Sequence, residues 1–389
     1  MFAPLFVLGR PLKIAGLGDS IMAGDGEPSG QSRVGSWLPK AAFLTGGRLI
    51  PRVYGYGGMT AVNHGAQGYK NDYLQTRPDL VVYHYGHNDM PAVGGALTPS
   101  QRTALRNAVM ATANEALASG VRFVVFPQLL QTAGKDAAEI QLHNAWLASL
   151  PSVDRRLVFM PGFEGLYDPA SPAFTGDGVH PNQVGSNLIA QKFANWISPL
   201  LSGVVPFRKL VTSAGAAGKL YSVEPAALPF VTVVGGGYPA SFTEQLVTPS
   251  GLDGASVRIQ ASGDGTLIVA WKGVPVASFA NKWFLFSLRV KASLLGSGRC
   301  FEAVTYSAGS PDGGNVAFCE GQLETNGQWG HALLLSRATP TVSQLVLQVF
   351  SRELVGADTN ASGTMELAEL YLHDIAAMGA ANGVDWNLP

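Results

Sequence analysis

The sequence has little of three things that would narrow its function at once: cysteine, clustered positive charge and long apolar runs. Only two of its 389 residues are cysteine, which excludes a thiolate metal cage and a disulfide-rich scaffold. A formal net charge of −1, with no Lys/Arg cluster, gives no electrostatic surface for nucleic acid or an anionic membrane. No uninterrupted apolar run approaches the roughly 18 residues that cross a bilayer. We therefore expect a globular protein that has neither nucleic acid nor membrane as a partner.

Signals for metals, cofactors and secretion are also scarce. The seven histidines are scattered and no carboxylates cluster at metal-ligand spacing, so we expect no metal and no cofactor. The opening MFAPLFVLGR has an apolar stretch, but it lacks a basic region and is shorter than a signal core. Either the protein is made without a signal or the start is already trimmed. We expect an extracellular or phage-virion location.

The two cysteines, Cys300 and Cys319, lie in one segment that reads as two strands around a Ser-Pro-Asp-Gly-Gly turn. If the strands pair with their loop near Gly309 and Ser310, the cysteines lie close to opposite one another. Either a cross-strand disulfide or two reduced, packed thiols fits this arrangement.

The amino-terminal half alternates apolar runs with helical patterns, which is typical of an α/β domain. The runs are nearly continuous, as in parallel strands that are covered on both faces. Five strands are predicted, at residues 13–18, 49–56, 80–86, 122–128 and 156–162. Helices are predicted over 98–119, 136–150 and 182–201. We therefore predict a three-layer α/β/α sandwich whose ligands bind beyond the carboxyl ends of its strands.

The composition changes after the segment SGVVPFRKL. Glycine, serine and threonine become more frequent there, and short segments in which apolar and polar residues alternate appear. Strands at such spacing predict an antiparallel β-sandwich of jelly-roll type. We place the boundary between residues 201 and 214, with domains at 1–204 and 205–389. The second domain is a candidate carbohydrate-binding or accessory domain. Its tryptophans fit either core positions or sugar-stacking platforms.

Four short blocks carry the candidate chemistry. Ser20 follows the first predicted strand in Gly-Asp-Ser, and Asp177 and His180 stand three apart in the loop before the last helix. A carboxylate one turn before an imidazole can accept its Nδ1 proton and fix its tautomer. Gly58 lets a backbone N–H approach a ligand, and Asn88 offers an amide donor that is neutral at every pH. Each block taken alone also fits an ordinary turn.

The four blocks together, in this order, resemble the SGNH (GDSL) hydrolase family over about residues 13–200. The resemblance implies a flavodoxin-like fold and a serine esterase. Ser20 would be the nucleophile, His180 the general base and Asp177 the residue that orients His180. The oxyanion hole would combine the backbone N–H groups of Ser20 and Gly58 with the side-chain amide of Asn88. The segment VNHGAQG contains an Asn-x-Gly-x-x-Gly pattern, so Gly68 is an alternative to Gly58 as the glycine of the oxyanion hole.

Fewer residues indicate the substrate than indicate the reaction. His87 gives the third block the form Gly-His-Asn-Asp, which resembles rhamnogalacturonan acetylesterases and related carbohydrate deacetylases. We therefore expect hydrolysis of short acyl esters, most simply O-acetyl groups, on a carbohydrate polymer, so that the partner is an acetylated glycan. A lipase or thioesterase acting on longer chains and a phage tail or virion glycan-binding component are the alternatives. A homo-oligomer is compatible with the sequence.

The remaining histidines are assigned structural places. We expect His84 in the sheet core, and His64 and His143 on the surface. Asp89 is expected to hold its loop rather than to react.

Overall fold

The computed structural model describes most of the amino-terminal half and a discontinuous set of strands in the carboxyl-terminal half. The described residues are 7–24, 36–64, 73–74, 76–214, 219–223, 241–248, 256–262, 267–270, 274–275, 282–293, 299–308, 327–337, 344–353 and 362–388. The chain divides into two compact units. The β unit contains Met1–Pro11, Pro39–Ile50 and Ser198–Trp386, and the α/β unit contains Leu12–Leu38, Pro51–Ile197 and Asn387–Pro389.

Seven strands precede residue 205 in the described part of the chain. They are β1 (Val7–Leu8), β2 (Leu12–Gly18), β3 (Leu49–Gly55), β4 (Leu80–His84), β5 (Phe123–Pro127), β6 (Leu157–Met160) and β7 (Gly203–Val204). Strands β1 and β7 form a separate parallel pair. The other five form one sheet in the order β3-β2-β4-β5-β6, with parallel register from β2 to β6. The predicted five-stranded parallel sheet is therefore confirmed.

Among the described residues, seven helices accompany these strands. They are α1 (Ser20–Ala23), α2 (Trp37–Leu44), α3 (Ala61–His64), α4 (Pro99–Ala118), α5 (Ala137–Ser149), α6 (Gln183–Ile197) and α7 (Phe207–Ala214). Short 3-10 helices cover His87–Asp89, Leu150–Ser152 and Ser198–Leu201. The long helix α4 begins where the sequence predicts, because Thr98 and Gln101 form a capping box ahead of Pro99.

The sheet is covered on both faces, which explains its apolar strands. On one face, Val81 and Tyr83 of β4 pack in a buried cluster with Leu105 of α4 and Ile140 of α5. On the other face, Trp37 of α2 makes edge-to-face contacts with His84 and Phe163 and packs against Phe193 of α6. Every residue of β2 and β4 is buried. A strand in which apolar and polar residues alternate would therefore place polar side chains in the core. The three-layer prediction is confirmed.

The described residues of the carboxyl-terminal half form ten strands and one helix. They are β8 (Lys219–Val223), β9 (Ser241–Val247), β10 (Ser256–Ser262), β11 (Leu267–Ala270), β12 (Val274–Pro275), β13 (Trp283–Ser293), β14 (Arg299–Ala308), β15 (Gly330–Arg337), β16 (Gln344–Glu353), β17 (Ser362–Asp374) and α8 (Ile375–Asn382). One antiparallel sheet has the order β15-β13-β17-β10-β9, with β8 also paired to β17. The other has the order β11-β16-β12, with β14 also paired to β16.

The two antiparallel sheets meet through β14, which contacts β15 and β17 of the first sheet. The predicted β-sandwich is therefore present, while jelly-roll connectivity stays a prediction. Trp283 and Trp386 are buried core residues and Trp329 is partly exposed. Trp271 lies outside the described residues. So does Cys319, and the cross-strand cysteine pairing stays a prediction.

Candidate active site

Ser20 stands at the carboxyl end of strand β2, as the first residue of the single-turn helix α1. Asp19 caps this helix, because its Oδ1 accepts the backbone N–H of Ile21 at 3.0 Å. A Cβ on Gly18 would overlap the side chain of Met22, so glycine is what allows α1 to fold back onto β2. Ser20 is 7% exposed. Its hydroxyl is thus held at the sheet edge with little conformational freedom.

His180 joins Ser20 to Asp177 across a large sequence separation. His180 Nε2 lies 2.8 Å from Ser20 Oγ, and His180 Nδ1 lies 2.6 Å from Asp177 Oδ2. The other oxygen of Asp177 accepts the backbone N–H groups of Val179 and His180, at 2.8 and 2.7 Å. The aspartate therefore fixes both the imidazole and the turn that carries it.

The loop around His180 is anchored to its neighbours. The N–H of Gly178 donates to Thr175 Oγ1 at 3.0 Å, and its carbonyl accepts the N–H of Ala133 at 2.8 Å. Thr175 and Pro181 form an isolated antiparallel bridge. Because these bonds fix the loop on both sides of Asp177, the imidazole needs little reorganisation to stay beside Ser20.

Proton positions follow from these contacts. A carboxylate only accepts hydrogen bonds, so the proton between Asp177 and His180 belongs to Nδ1. In neutral imidazole Nε2 is then an acceptor, and it faces the hydroxyl of Ser20. Burial raises the pKa of Asp177, but its bonds to His180 and Val179 outweigh burial and hold that pKa below its usual value. Asp177 is therefore a carboxylate at neutral pH and faces the imidazole as a hydrogen-bond acceptor.

Gly58 and Asn88 lie in adjoining turns. Gly58 has φ of +70° in a turn closed by the N–H of Met59 donating to Tyr56 O at 3.2 Å. Asn88 lies in the 3-10 helix after β4, and its Nδ2 donates to Met59 O at 3.0 Å. One amide hydrogen of Asn88 is thus used to hold the Gly58 turn. The second hydrogen of the same nitrogen is available for a ligand. Gly68, the alternative to Gly58, lies outside the described residues.

Asp89 has the structural role that the sequence suggests. Its Oδ2 accepts the N–H of Ala61 at 2.7 Å, which caps the one-turn helix α3. Burial raises the pKa of Asp89, and the bonds from Ala61 and Val62 only partly offset this effect. Asp89 therefore holds the loop that carries Gly58 and Asn88.

Four histidines lie in the interior of this unit. The core position of His84 is confirmed, since it is fully buried and burial lowers its pKa to about 3. The surface prediction for His64 and His143 is wrong, since they are 2% and 5% exposed. His64 is the last residue of the capped helix α3, and the centre of its ring lies 4.8 Å from that of Tyr85. Burial lowers the pKa of His143 to about 3. His87, 2% exposed, lies behind the site with Nδ1 3.4 Å from Asp19 Oδ2.

Sequence reasoning treated Asp19 only as a turn residue and missed its contacts with Ile21 and His87. For the contact with Ile21 a usable signal was present, because aspartate directly before a short apolar helix is a preferred N-cap. Within the residues that the structure describes, no group of three or more His, Cys, Asp or Glu side chains could hold a metal ion. None of the described helices combines the length and apolar character that crossing a bilayer requires.

The arrangement is suited to nucleophilic acyl transfer. A hydroxyl whose proton can pass to a neutral imidazole, which is oriented by a carboxylate, can attack a carbonyl carbon. Donors beside that hydroxyl can receive the negative charge that develops on the carbonyl oxygen. Ser20, His180 and Asp177 supply the first set, and the turns of Gly58 and Asn88 bring candidate donors.

Comparison with known proteins gives a family match and several distant structural similarities. Residues 17–188 match the GDSL-like Lipase/Acylhydrolase family. No curated protein sequence matches the chain. A lipase/acylhydrolase from Enterococcus faecalis is 20% identical, covering 50% of this chain and 98% of its own, with a TM-score of 0.40. A carbohydrate esterase family 3 protein from Talaromyces cellulolyticus is 20% identical over 50% of this chain and 100% of its own, with a TM-score of 0.37. A two-domain esterase active on acetylated mannans is 16% identical over 94% of this chain and 90% of its own, with a TM-score of 0.36.

Proposed function

Residues 17–188 match the GDSL-like Lipase/Acylhydrolase family, and on that premise we propose that this protein is a serine esterase that removes short acyl groups, chiefly O-acetyl, from a carbohydrate polymer. The observation that carries the proposal is the continuous contact from Asp177 through His180 to Ser20, at 2.6 and 2.8 Å. The 2.8 Å contact has an ordinary hydrogen-bond length, and the 2.6 Å contact is slightly shorter than is usual for an N–H···O bond to a carboxylate.

In the proposed reaction, Ser20 Oγ attacks the carbonyl carbon of the ester while His180 Nε2 takes the hydroxyl proton. The oxyanion is bound by the N–H groups of Ser20 and Gly58 and by the free amide hydrogen of Asn88. The sugar hydroxyl leaves with the proton from His180, and an acyl-enzyme remains on Ser20. Water, deprotonated by His180, then attacks the acyl-enzyme and releases acetate, and the proton returns to Ser20.

Two observations support a polymer-bound short acyl group. The Gly-His-Asn-Asp form of the third block resembles carbohydrate deacetylases. The side chains of His180 and Asp177 are 26% and 53% exposed, so a hydrated chain can reach the imidazole from solvent. An ester displayed on a polysaccharide needs such open access, because its leaving group is bulky and polar.

We propose that the domain at 205–389 serves as an accessory to the catalytic domain at 1–204. A glycan-binding domain on the same chain would raise the effective concentration of substrate near Ser20. Its antiparallel sheets and the partly exposed Trp329 are compatible with this role.

The test is a substrate panel assayed with the wild-type chain and with Ser20→Ala. The panel contains acetylated polysaccharides, scored by released acetate, and nitrophenyl esters from acetyl to long-chain acyl. We expect acetate release and a preference for the shortest esters, with both activities lost in Ser20→Ala. A preference for long acyl esters would replace the glycan substrate with a lipase-like one, and full activity in Ser20→Ala would refute the catalytic assignment.

A further inference from the structure

Asp19 and His87 form a contact that the proposed reaction does not use. Each directly precedes a residue of the proposed machinery, Asp19 before Ser20 and His87 before Asn88. Asp19 is fully buried and His87 is 2% exposed. His87 Nδ1 lies 3.4 Å from Asp19 Oδ2. Two separate segments of the site are therefore linked through a single buried pair.

The two oxygens of Asp19 have different tasks. Oδ1 caps α1 by accepting the N–H of Ile21, so it fixes the turn that begins with Ser20. Neither Oδ2 nor His87 Nδ1 makes a well-formed hydrogen bond within the described part of the chain. Buried polar atoms without partners are costly, so each of these two atoms depends on the other. Their separation is longer than an optimal hydrogen bond, which makes this an ionic or dipolar contact rather than a rigid one.

The surroundings leave His87 as the group that offsets the Asp19 charge. The ring of His84 lies 5.2 Å from that of His87, but His84 is neutral at ordinary pH because burial lowers its pKa to about 3. The carboxyl of Asp89 caps α3 and is negatively charged when ionised, so it cannot compensate Asp19. An N–H of His87 is thus the donor that faces the buried carboxylate.

We propose that Asp19 and His87 are a positioning pair for the esterase reaction. The pair ties the turn of the nucleophile Ser20 to the turn of the oxyanion donor Asn88, so that attack and charge stabilisation occur at a fixed separation. His87 also offsets a carboxylate that would otherwise oppose negative charge developing beside Ser20. This inference rests on the proposed function, since it assigns the pair to that same site.

The test compares two substitutions that remove the same ring. His87→Asn keeps an amide N–H near the position of Nδ1, and His87→Leu keeps volume but has no donor. We expect His87→Leu to lower kcat about 10-fold to 100-fold, the size of effect that small misplacement of reacting groups produces, with KM little changed. We expect His87→Asn to recover most of that loss. A purely packing role would lower kcat equally in both variants and would overturn the inference.

Asp19→Asn tests the other partner, because its amide oxygen can still cap α1 while the charge is lost. We expect its kcat to fall, and the double variant with His87→Leu to lose no more than the worse single variant, as residues that act through each other do. Asp79→Asn is the matched control. Asp79 is also a buried carboxylate that accepts a backbone N–H, from Lys13, but it precedes β4 at the opposite sheet edge. We expect it to keep wild-type kcat.

The outcomes separate this inference from the proposed function. If Ser20→Ala keeps wild-type ester hydrolysis, the proposed function fails whatever the pair does. If hydrolysis depends on Ser20 while His87→Leu and Asp19→Asn keep wild-type kcat, only the positioning pair is refuted. If His87→Leu is recovered unfolded by circular dichroism, Asp19→Asn decides, and wild-type turnover in that variant overturns the inference.

Discussion

Replacing Asp177 with asparagine should impair turnover because of the way its two oxygens are shared. In the native turn, Oδ1 accepts the N–H groups of Val179 and His180, while Oδ2 accepts the Nδ1 proton of His180. Asparagine has one oxygen and one NH2 group. If its oxygen stays with the two backbone N–H groups, its NH2 faces His180 Nδ1, which must then be the acceptor. Nε2 would carry the proton and could no longer take one from Ser20.

The size of the effect follows from the flipped alternative. Turning the amide so that its oxygen faces His180 Nδ1 places NH2 against two backbone N–H groups and loses both of those bonds. The loss of these two hydrogen bonds, together with the NH2 group facing two N–H donors, costs about 2 to 3 kcal/mol at a half-exposed site where water competes. That energy corresponds to a fall of about 30-fold to 150-fold in kcat.

The assay is steady-state hydrolysis of a short-chain nitrophenyl ester, with thermal unfolding measured in parallel. Asp168→Asn is the matched control, because Asp168 accepts the N–H of Ala170 in an exposed turn of the same stretch and is not bonded to His180. We expect the control to keep wild-type kcat. A turnover for Asp177→Asn above half the wild-type value would refute the tautomer argument, since the wrong tautomer leaves no base for Ser20.

Three further outcomes are expected. Asn88→Ala should lower kcat by about 100-fold to 1,000-fold with little change in melting temperature, measured by ester hydrolysis and thermal unfolding, and an unchanged kcat would remove Asn88 from the oxyanion hole. Gly58→Ala should destabilise the protein by about 1 to 2 kcal/mol in a denaturant titration. The cause is the backbone, since φ of Gly58 is +70° while an added Cβ would meet nothing within 4 Å. An unchanged free energy of unfolding would contradict the left-handed turn. His84→Phe should flatten the fall in stability between about pH 6.5 and pH 3. The pKa of His84 in the folded protein is about 3, so in this pH window the unfolded chain binds a proton that the folded chain does not. The free energy of unfolding of the wild type therefore falls as pH falls. An unchanged slope in the variant would contradict a neutral, buried His84.

The parallel sheet could be predicted from sequence because its strands are buried on both faces. The predicted runs at 80–86 and 156–162 contain β4 and β6 and overrun them by two residues at the carboxyl end. Edge strands gave a weaker signal. Strand β9 lies at the end of its sheet, and its residues 243–246 alternate between exposed and half-exposed side chains, so its segment SFTEQLV contains no apolar run to detect.

Boundaries and orientations depend on contacts that a sequence does not display. Strand β17 ends at Asp374, because the side chain of Asp374 caps α8 by accepting the N–H of Ala377. The burial of His64 depends on the remote cap that Asp89 gives to α3. Periodicity cannot assign a face to a helix of one turn.

The meeting of Ser20, Asp177 and His180 was expected from block order, and the structure places them within hydrogen-bond distance. Their catalytic roles stay a prediction. The link between Asp19 and His87 had no sequence signal, because it joins residues 68 positions apart that become neighbours only when β2 and β4 pair.

Covalent labelling tests the central claim most directly. The wild-type chain and Ser20→Ala are incubated with a small serine-directed phosphonate, and the modified peptide is identified by mass spectrometry alongside loss of ester hydrolysis. We predict one phosphonate on Ser20, inactivation in step with labelling, and no labelling of Ser20→Ala. Inactivation accompanied by a label on any other residue, or hydrolysis that persists in Ser20→Ala, would contradict the assignment of Ser20 as the nucleophile.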